Sequence, residues 1–282
     1  MNKKNKFNYL LLPLILLIFS CKHDKSIFSV DNLNNGKVEC FGHGGMGIQW
    51  KFPIDSKPSL QEVLSFNADG TEMDVQMTKD SILVFYHDAD LQSSTLCNGV
   101  INDKTWNEIV NDNCRFNSPL STTLNITSAD DFFASVTNRS QFIFTFDTKL
   151  YNSQLDYNNY LATFARAVKR LVRKYNLEKN LFVEVQDEQL LNYLQSTIPE
   201  LHYFFYASFD KAFQIAKQYH LHGITINFED ISSAQVDSLH AHNIHVTLFN
   251  MQSENDNLLA LRKNPDYLQS DKINHLLSLM KE

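Results

Sequence analysis

From residue 142 to the C-terminus, short apolar and aromatic runs alternate with helical patterns, and this repetition restricts the fold more than any other feature. Strand patterns lie at 142–147, 181–186, 202–207, 223–228, 245–249 and 266–269, with three more at 37–42, 71–77 and 82–86. Between them, YLATFARAVKRLVRKY sets Leu161, Phe164, Ala165, Val168, Leu171 and Val172 on one helical face. FDKAFQIAKQY, SSAQVDSLHAH, NDNLLALRK and DKINHLLSLM continue the alternation, and Ser128 is a fitting N-cap for ADDFFAS. Strand alternating with helix builds a parallel sheet, and this many units closes it into an α/β fold, the (β/α)8 barrel of the TIM type. Nine strands exceed eight barrel positions. The link from Gln76 to Ile82 is too short for a parallel crossover, which takes about a dozen residues. The 71–77 and 82–86 strands therefore pair as a hairpin, with 82–86 outside the barrel. At 282 residues and 43% hydrophobic, the chain has the length and the apolar content for one such domain.

The N-terminus reads differently. Lys3, Lys4 and Lys6 precede an apolar run from Tyr9 to Phe19 that is shorter than the roughly 18 residues of a membrane span. Charge followed by a short apolar run is the layout of a secretory signal. Ile18-Phe19-Ser20-Cys21 resembles the lipobox of bacterial lipoproteins, in which the cysteine carries the lipid. The organisation expected is a signal peptide at 1–20, a polar tether at 21–36 and a barrel at 37–282, with 88–127 inserted over the mouth. Loss of the signal moves the formal charge from −7 to −10, leaving 22 basic against 32 acidic residues, which argues against a nucleic-acid partner. Export permits disulfides. Cys97 and Cys114 pairing beside a buried Cys40, and three free thiols, are both compatible with the sequence; no CxxC is present.

The chemistry concentrates in EMDVQMTKDSILVFYHD. Glu72 and Asp74 sit two apart in a strand and share a face, about 7 Å apart along the backbone. His87-Asp88 ends the next strand, His43 ends the first, and Asp147 and Lys149 sit two apart in FIFTFDTK. Barrel enzymes gather working residues at the C-terminal ends of strands. Carboxylates are hard oxygen ligands that favour Mg²⁺ or Ca²⁺, and imidazoles transfer protons near neutral pH.

These motifs together resemble the glycerophosphodiester phosphodiesterase family. That family's His-Arg-Gly appears as His43-Gly44-Gly45, and its Glu-x-Asp-Val-x-x-Thr-x-Asp as Glu72-Met73-Asp74-Val75, Thr78 and Asp80. The resemblance runs on through His87-Asp88, Leu91, Thr95, Gly99 and INDKTWNEI, and returns at Asp147-x-Lys149 and NPDYLQSDKI. It implies His43 and His87 as the acid–base pair, Glu72, Asp74 and Asp147 as ligands of one divalent cation, and Lys149 on the substrate phosphate. The substrate's own neighbouring hydroxyl is then a first nucleophile. The chain departs from the pattern at Gly44 (arginine in the family), Asp147 (commonly Glu), Phe249 (near a usual tryptophan), Ser270-Asp271-Lys272 (for Thr-Asp) and Ile273 (for proline).

The expected function is metal-dependent hydrolysis of a small or lipid-derived phosphodiester by a monomer lipid-anchored in the bacterial cell envelope. Phospholipase C- or D-like cleavage of a lipid headgroup, and a non-catalytic ligand-binding lipoprotein, are the alternatives. The basic face of Arg166, Lys169, Arg170, Arg173 and Lys174 reads as solvated, and His240, His242 and His245 read as surface residues. Glu184 and Asp187 end a strand without sharing a face.

Overall fold

The computed structural model describes residues 29–118, 124–152 and 156–280. The signal segment and Cys21 lie outside the described residues. Among the described residues ten strands are formed: β1 (Glu39–Gly42), β2 (Gly70–Met77), β3 (Leu83–Phe85), β4 (Thr127–Ser128), β5 (Ile143–Thr148), β6 (Leu181–Val185), β7 (His202–Tyr206), β8 (Gly223–Asn227), β9 (His245–Met251) and β10 (Tyr267–Ser270). Nine α-helices accompany them among the described residues: α1 (Lys57–Ser65), α2 (Trp106–Asn111), α3 (Ala129–Ser135), α4 (Tyr157–Tyr175), α5 (Glu188–Thr197), α6 (Phe209–Gln218), α7 (Ser233–His240), α8 (Glu254–Leu261) and α9 (Ile273–Met280).

β1 pairs in parallel with both β10 and β2, which closes the sheet. The closed ring β1-β2-β5-β6-β7-β8-β9-β10 is a (β/α)8 barrel, and β3 and β4 are an antiparallel extension outside it. β2 is buried along its whole length, as a barrel strand covered on both faces must be. The six apolar positions read from the helical pattern of α4 are all buried. Its basic face is laced with ion pairs: Lys174 with Asp130 at 2.6 Å, and Arg173 with Glu178 at 2.7 Å and with Glu200.

The insertion has its own small core of Tyr86, Leu91, Ile101, Ile109, Phe116 and Ile126 on β3. Its Ser94 and Phe116 line a cavity together with His87. Cys97 and Cys114 form a disulfide in the insertion, while Cys40 is a free, buried thiol. The polar stretch read as a tether is docked over its last residues. Asn32 Nδ2 donates to the Pro265 carbonyl at 2.8 Å, and the Leu33 N–H donates to Asp266 Oδ1 at 2.8 Å.

The opposite end of the barrel is closed by rings. Phe41, Phe182, Phe204 and Tyr267 form a buried cluster. The His222 ring lies 4.2 Å from His202 and 4.1 Å from His245. His245 is therefore half-buried packing at a strand start, and His240 is half-buried against Asp266; of the three histidines read as surface, only His242 is exposed. Burial first, and then the charges of His245 and His202, push the His222 imidazole down to about 2. Burial likewise lowers His202 and His245. Groups depressed on folding contribute fully above their unfolded value, about 6.5, and progressively less as pH falls below it. The contribution of these histidines to thermal stability is expected to fall between about pH 6.5 and pH 4. His222→Phe should flatten that decline in a melting series across this range.

Candidate active site

The acidic site is built by the offset between neighbouring strands. β1 ends at Gly42, opposite Thr71, and β5 ends at Thr148, opposite Val75. β2 runs on, its last three residues pairing with β3. Glu72 and Asp74 are mid-strand in sequence, yet they stand near the barrel rim because β2 projects above it. Asp74 is in register with Asp147, and ligand oxygens of Glu72, Asp74 and Asp147 all lie within 4.8 Å of one another.

Three carboxylates at this distance, two buried and Asp147 half-buried, need a counter-charge. Lys149 supplies part of it, its ammonium 3.0 Å from Asp74 Oδ1 and 2.6 Å from Asp147 Oδ2. Burial and the Asp74 charge push Glu72 well above the usual carboxylate range. Asp74 is also buried, but Lys149 and His87 hold it below that range. Burial raises Asp147 despite Lys149. Glu72 Oε1, Asp74 Oδ2 and Asp147 Oδ1 are buried without a hydrogen-bond partner. Orphaned carboxylate oxygens facing a common centre fit a hard divalent cation.

Each candidate proton-transfer histidine has a carboxylate at Nδ1. His43 Nδ1 is 2.9 Å from Asp271 Oδ1, which also accepts the Ile48 N–H at 3.2 Å. His87 Nδ1 is 2.9 Å from Asp88 Oδ1, and Asp88 Oδ2 accepts from Ser94 Oγ. An imidazole tied at Nδ1 leaves Nε2 for chemistry, and the carboxylate fixes the ring. Burial alone would lower His43; its bond to Asp271 and the charges of Glu72, Asp271 and Asp74 outweigh this and raise it to about 9. Phe249 stands beside it, with ring centroids 6.4 Å apart.

Gly44 donates its N–H to Glu72 Oε2 at 2.7 Å, so the loop after His43 grips a carboxylate by its backbone. Gly44 has φ +56°, and a Cβ there would fall 2.6 Å from Ile54 Cβ. The side-chain space at this position is filled by Ile54. Ile54 also lines a cavity of about 360 Å³ together with Ile48, Trp50, Asp55, His87, Ser94 and Phe116.

The sequence pattern of the glycerophosphoryl diester phosphodiesterase family matches residues 47–275. The chain belongs to this family. A Bacillus altitudinis glycerophosphodiester phosphodiesterase is 26% identical over 147 residues, covering 52% of this chain and 57% of that protein. The chain thus spans little more than half the length of that curated relative. A phosphodiesterase from Oleispira antarctica, solved with the product sn-glycerol-3-phosphate, superposes with a TM-score of 0.74 at 17% identity, over 86% of this chain and 97% of that one. A glycerophosphodiester phosphodiesterase from Parabacteroides distasonis gives a TM-score of 0.72 at 15% identity, over 86% and 96%. At these identities the superpositions show the shared barrel.

Three acidic residues of this glycerophosphoryl diester phosphodiesterase family member were given no role by its sequence motifs. Asp271 was legible only as a change in a terminal motif, yet its side chain is buried against His43. Glu184 is in register with Asp147 and buried, and it accepts from Gln269 Nε2 at 2.5 Å; burial and Asp147 push it up to about 8. Asp187, by contrast, caps α5 by accepting the Leu190 N–H. Asp55 is fully buried, and burial, followed by the Asp74 and Glu72 charges, pushes it well above the carboxylate range. Nothing periodic in PIDSKP marks it, because its loop is placed by tertiary contacts alone.

Proposed function

We propose that this protein hydrolyses phosphodiesters of the glycerophosphodiester type, using His43 and His87 as acid and base beside one divalent cation held by Glu72, Asp74 and Asp147. The observation that carries the reading is the carboxylate triad flanked by two imidazoles, each tied to a carboxylate at Nδ1. A bound Mg²⁺ or Ca²⁺ would offset charge on the non-bridging phosphate oxygens. Of the two histidines, braced by Asp271 and Asp88, one accepts the proton of the attacking hydroxyl and the other returns one to the leaving alkoxide. Lys149, which pairs with Asp74 and Asp147, would hold a phosphate oxygen as a point charge. The Gly44 and Lys149 pattern leaves phosphate binding to lysine and cation, with no guanidinium from position 44.

Lipid-derived substrates are the second reading. The cavity beside His87 has an apolar wall, Ile48 in that wall is 54% exposed, and Leu96 of the insertion is 59% exposed. Retention of both histidines and the triad counts against a non-catalytic role. Hydrolysis of glycerophosphocholine, glycerophosphoethanolamine and phosphoinositides by purified protein, with and without chelator, separates these readings. Turnover of the soluble diesters supports the first, turnover of the lipid alone supports the second, and none supports ligand binding.

Cys21, which lies outside the described residues, we take as the lipidated N-terminus of an envelope protein. Cys21→Ser is expected to release soluble protein or leave an uncleaved precursor. Unaltered processing and detergent partitioning would contradict this assignment.

A further inference from the structure

Asp55 occupies a costly position. It has φ +62°, which non-glycine residues seldom adopt, its side chain is fully buried, and its carboxyl lies against that of Asp74, with no N–H donor to Oδ2 of either. Such strain persists only where surrounding contacts over-determine it, and it clusters at working sites. Those contacts are specific. The Asp55 N–H donates to the Gly44 carbonyl at 3.0 Å, and Asp55 Oδ1 accepts the Asp74 N–H at 3.0 Å. The second bond fills a gap in the sheet. β1 stops at Gly42, opposite Thr71, so it cannot reach the Asp74 N–H, while β3 takes only the Asp74 carbonyl, through the Tyr86 N–H at 2.9 Å. A buried N–H needs a partner, and the Asp55 carboxylate provides one.

Since the Gly44 N–H binds Glu72 Oε2, a continuous circuit runs from Glu72 through Gly44 and Asp55 to Asp74. It joins the loop that carries His43 to the carboxylate of Glu72 and to the backbone N–H of Asp74. Asp55 also lines the cavity that His87 lines.

We propose that Asp55 is a positioning residue of the cation centre, setting Asp74 against the His43 loop and adding a fourth carboxylate beside the triad. This rests on the cation reading above. Outer partners of metal-binding carboxylates set affinity, and losing one typically weakens binding about 10–100-fold.

The test uses melting temperature against Mg²⁺ and Ca²⁺ concentration, after chelation, for wild type, Asp55→Asn and Asp55→Ala. Asn keeps an oxygen for the Asp74 N–H and tolerates positive φ, so it should fold. Its metal-free melting temperature should be no lower than wild type, because the repulsion between its carboxyl and that of Asp74 is gone. It should need about 10–100-fold more cation for the same rise. Asp55→Ala should show that loss and a lower metal-free melting temperature, from the orphaned N–H. If Asp55→Asn melts lower without cation yet follows the wild-type titration, Asp55 serves the fold alone and the proposal is overturned. It is equally overturned if both variants titrate as wild type. A wild type indifferent to both ions overturns the cation reading, and this inference with it.

Discussion

Replacing either His43 or His87 with alanine is expected to lower turnover by about 10²–10⁴ while the fold persists, since general acid–base groups contribute on this scale. The fold should survive because neither ring is part of the packed core: His43 is partly exposed and His87 exposed. The double variant should lose little more than the worse single one, because groups that act on one proton path are not additive. The bracing carboxylates sharpen the expectation. Asp271→Asn keeps the shape of the side chain at His43 Nδ1 but removes its charge, so it should lower kcat with little change in KM. A structural role for Asp271 would move stability and leave that kinetic split absent. Thermal melts beside steady-state kinetics distinguish the two.

Glu72→Gln together with Asp74→Asn is expected to abolish any rise in melting temperature on adding Mg²⁺ or Ca²⁺. In the wild type, a cation at 100 times its dissociation constant stabilises the folded state by about 2.7 kcal/mol. The sign without cation is opposite. Glu72, Asp74 and Asp147 are mutually repelling carboxylates offset by Lys149, so the neutral pair should melt no lower than wild type in chelator. A double variant that answers to cation as wild type does would place the site elsewhere.

Much of this was legible in the sequence for physical reasons. Barrel strands and their helices are regular elements with their own periods, so eight strands and the outlying 82–86 strand could be read from local patterning. Glu72, Asp74, Asp147 and Lys149 were readable because spacing in a strand determines the face. What could not be read arises from contacts between distant segments. Asp55 reaches Asp74 and Asp271 reaches His43 across 19 and 228 residues, and no local pattern encodes such pairs. The packing of Ile54 where an arginine side chain would begin at position 44 is likewise tertiary. Gly44→Arg therefore cannot simply restore a guanidinium; it must first displace Ile54 and accept positive φ. Lys149, expected on phosphate, lies between two carboxylates because their buried charge demands a positive partner.

The central claim is cation-dependent diester hydrolysis by the histidine pair. Its most direct test follows release of the alcohol from glycerophosphocholine by three samples: chelated wild type, the same sample after Mg²⁺ or Ca²⁺ is restored, and the His43→Ala, His87→Ala variant with cation. Hydrolysis is expected in the second sample alone. Hydrolysis that persists in the chelated protein or in the double variant would contradict it.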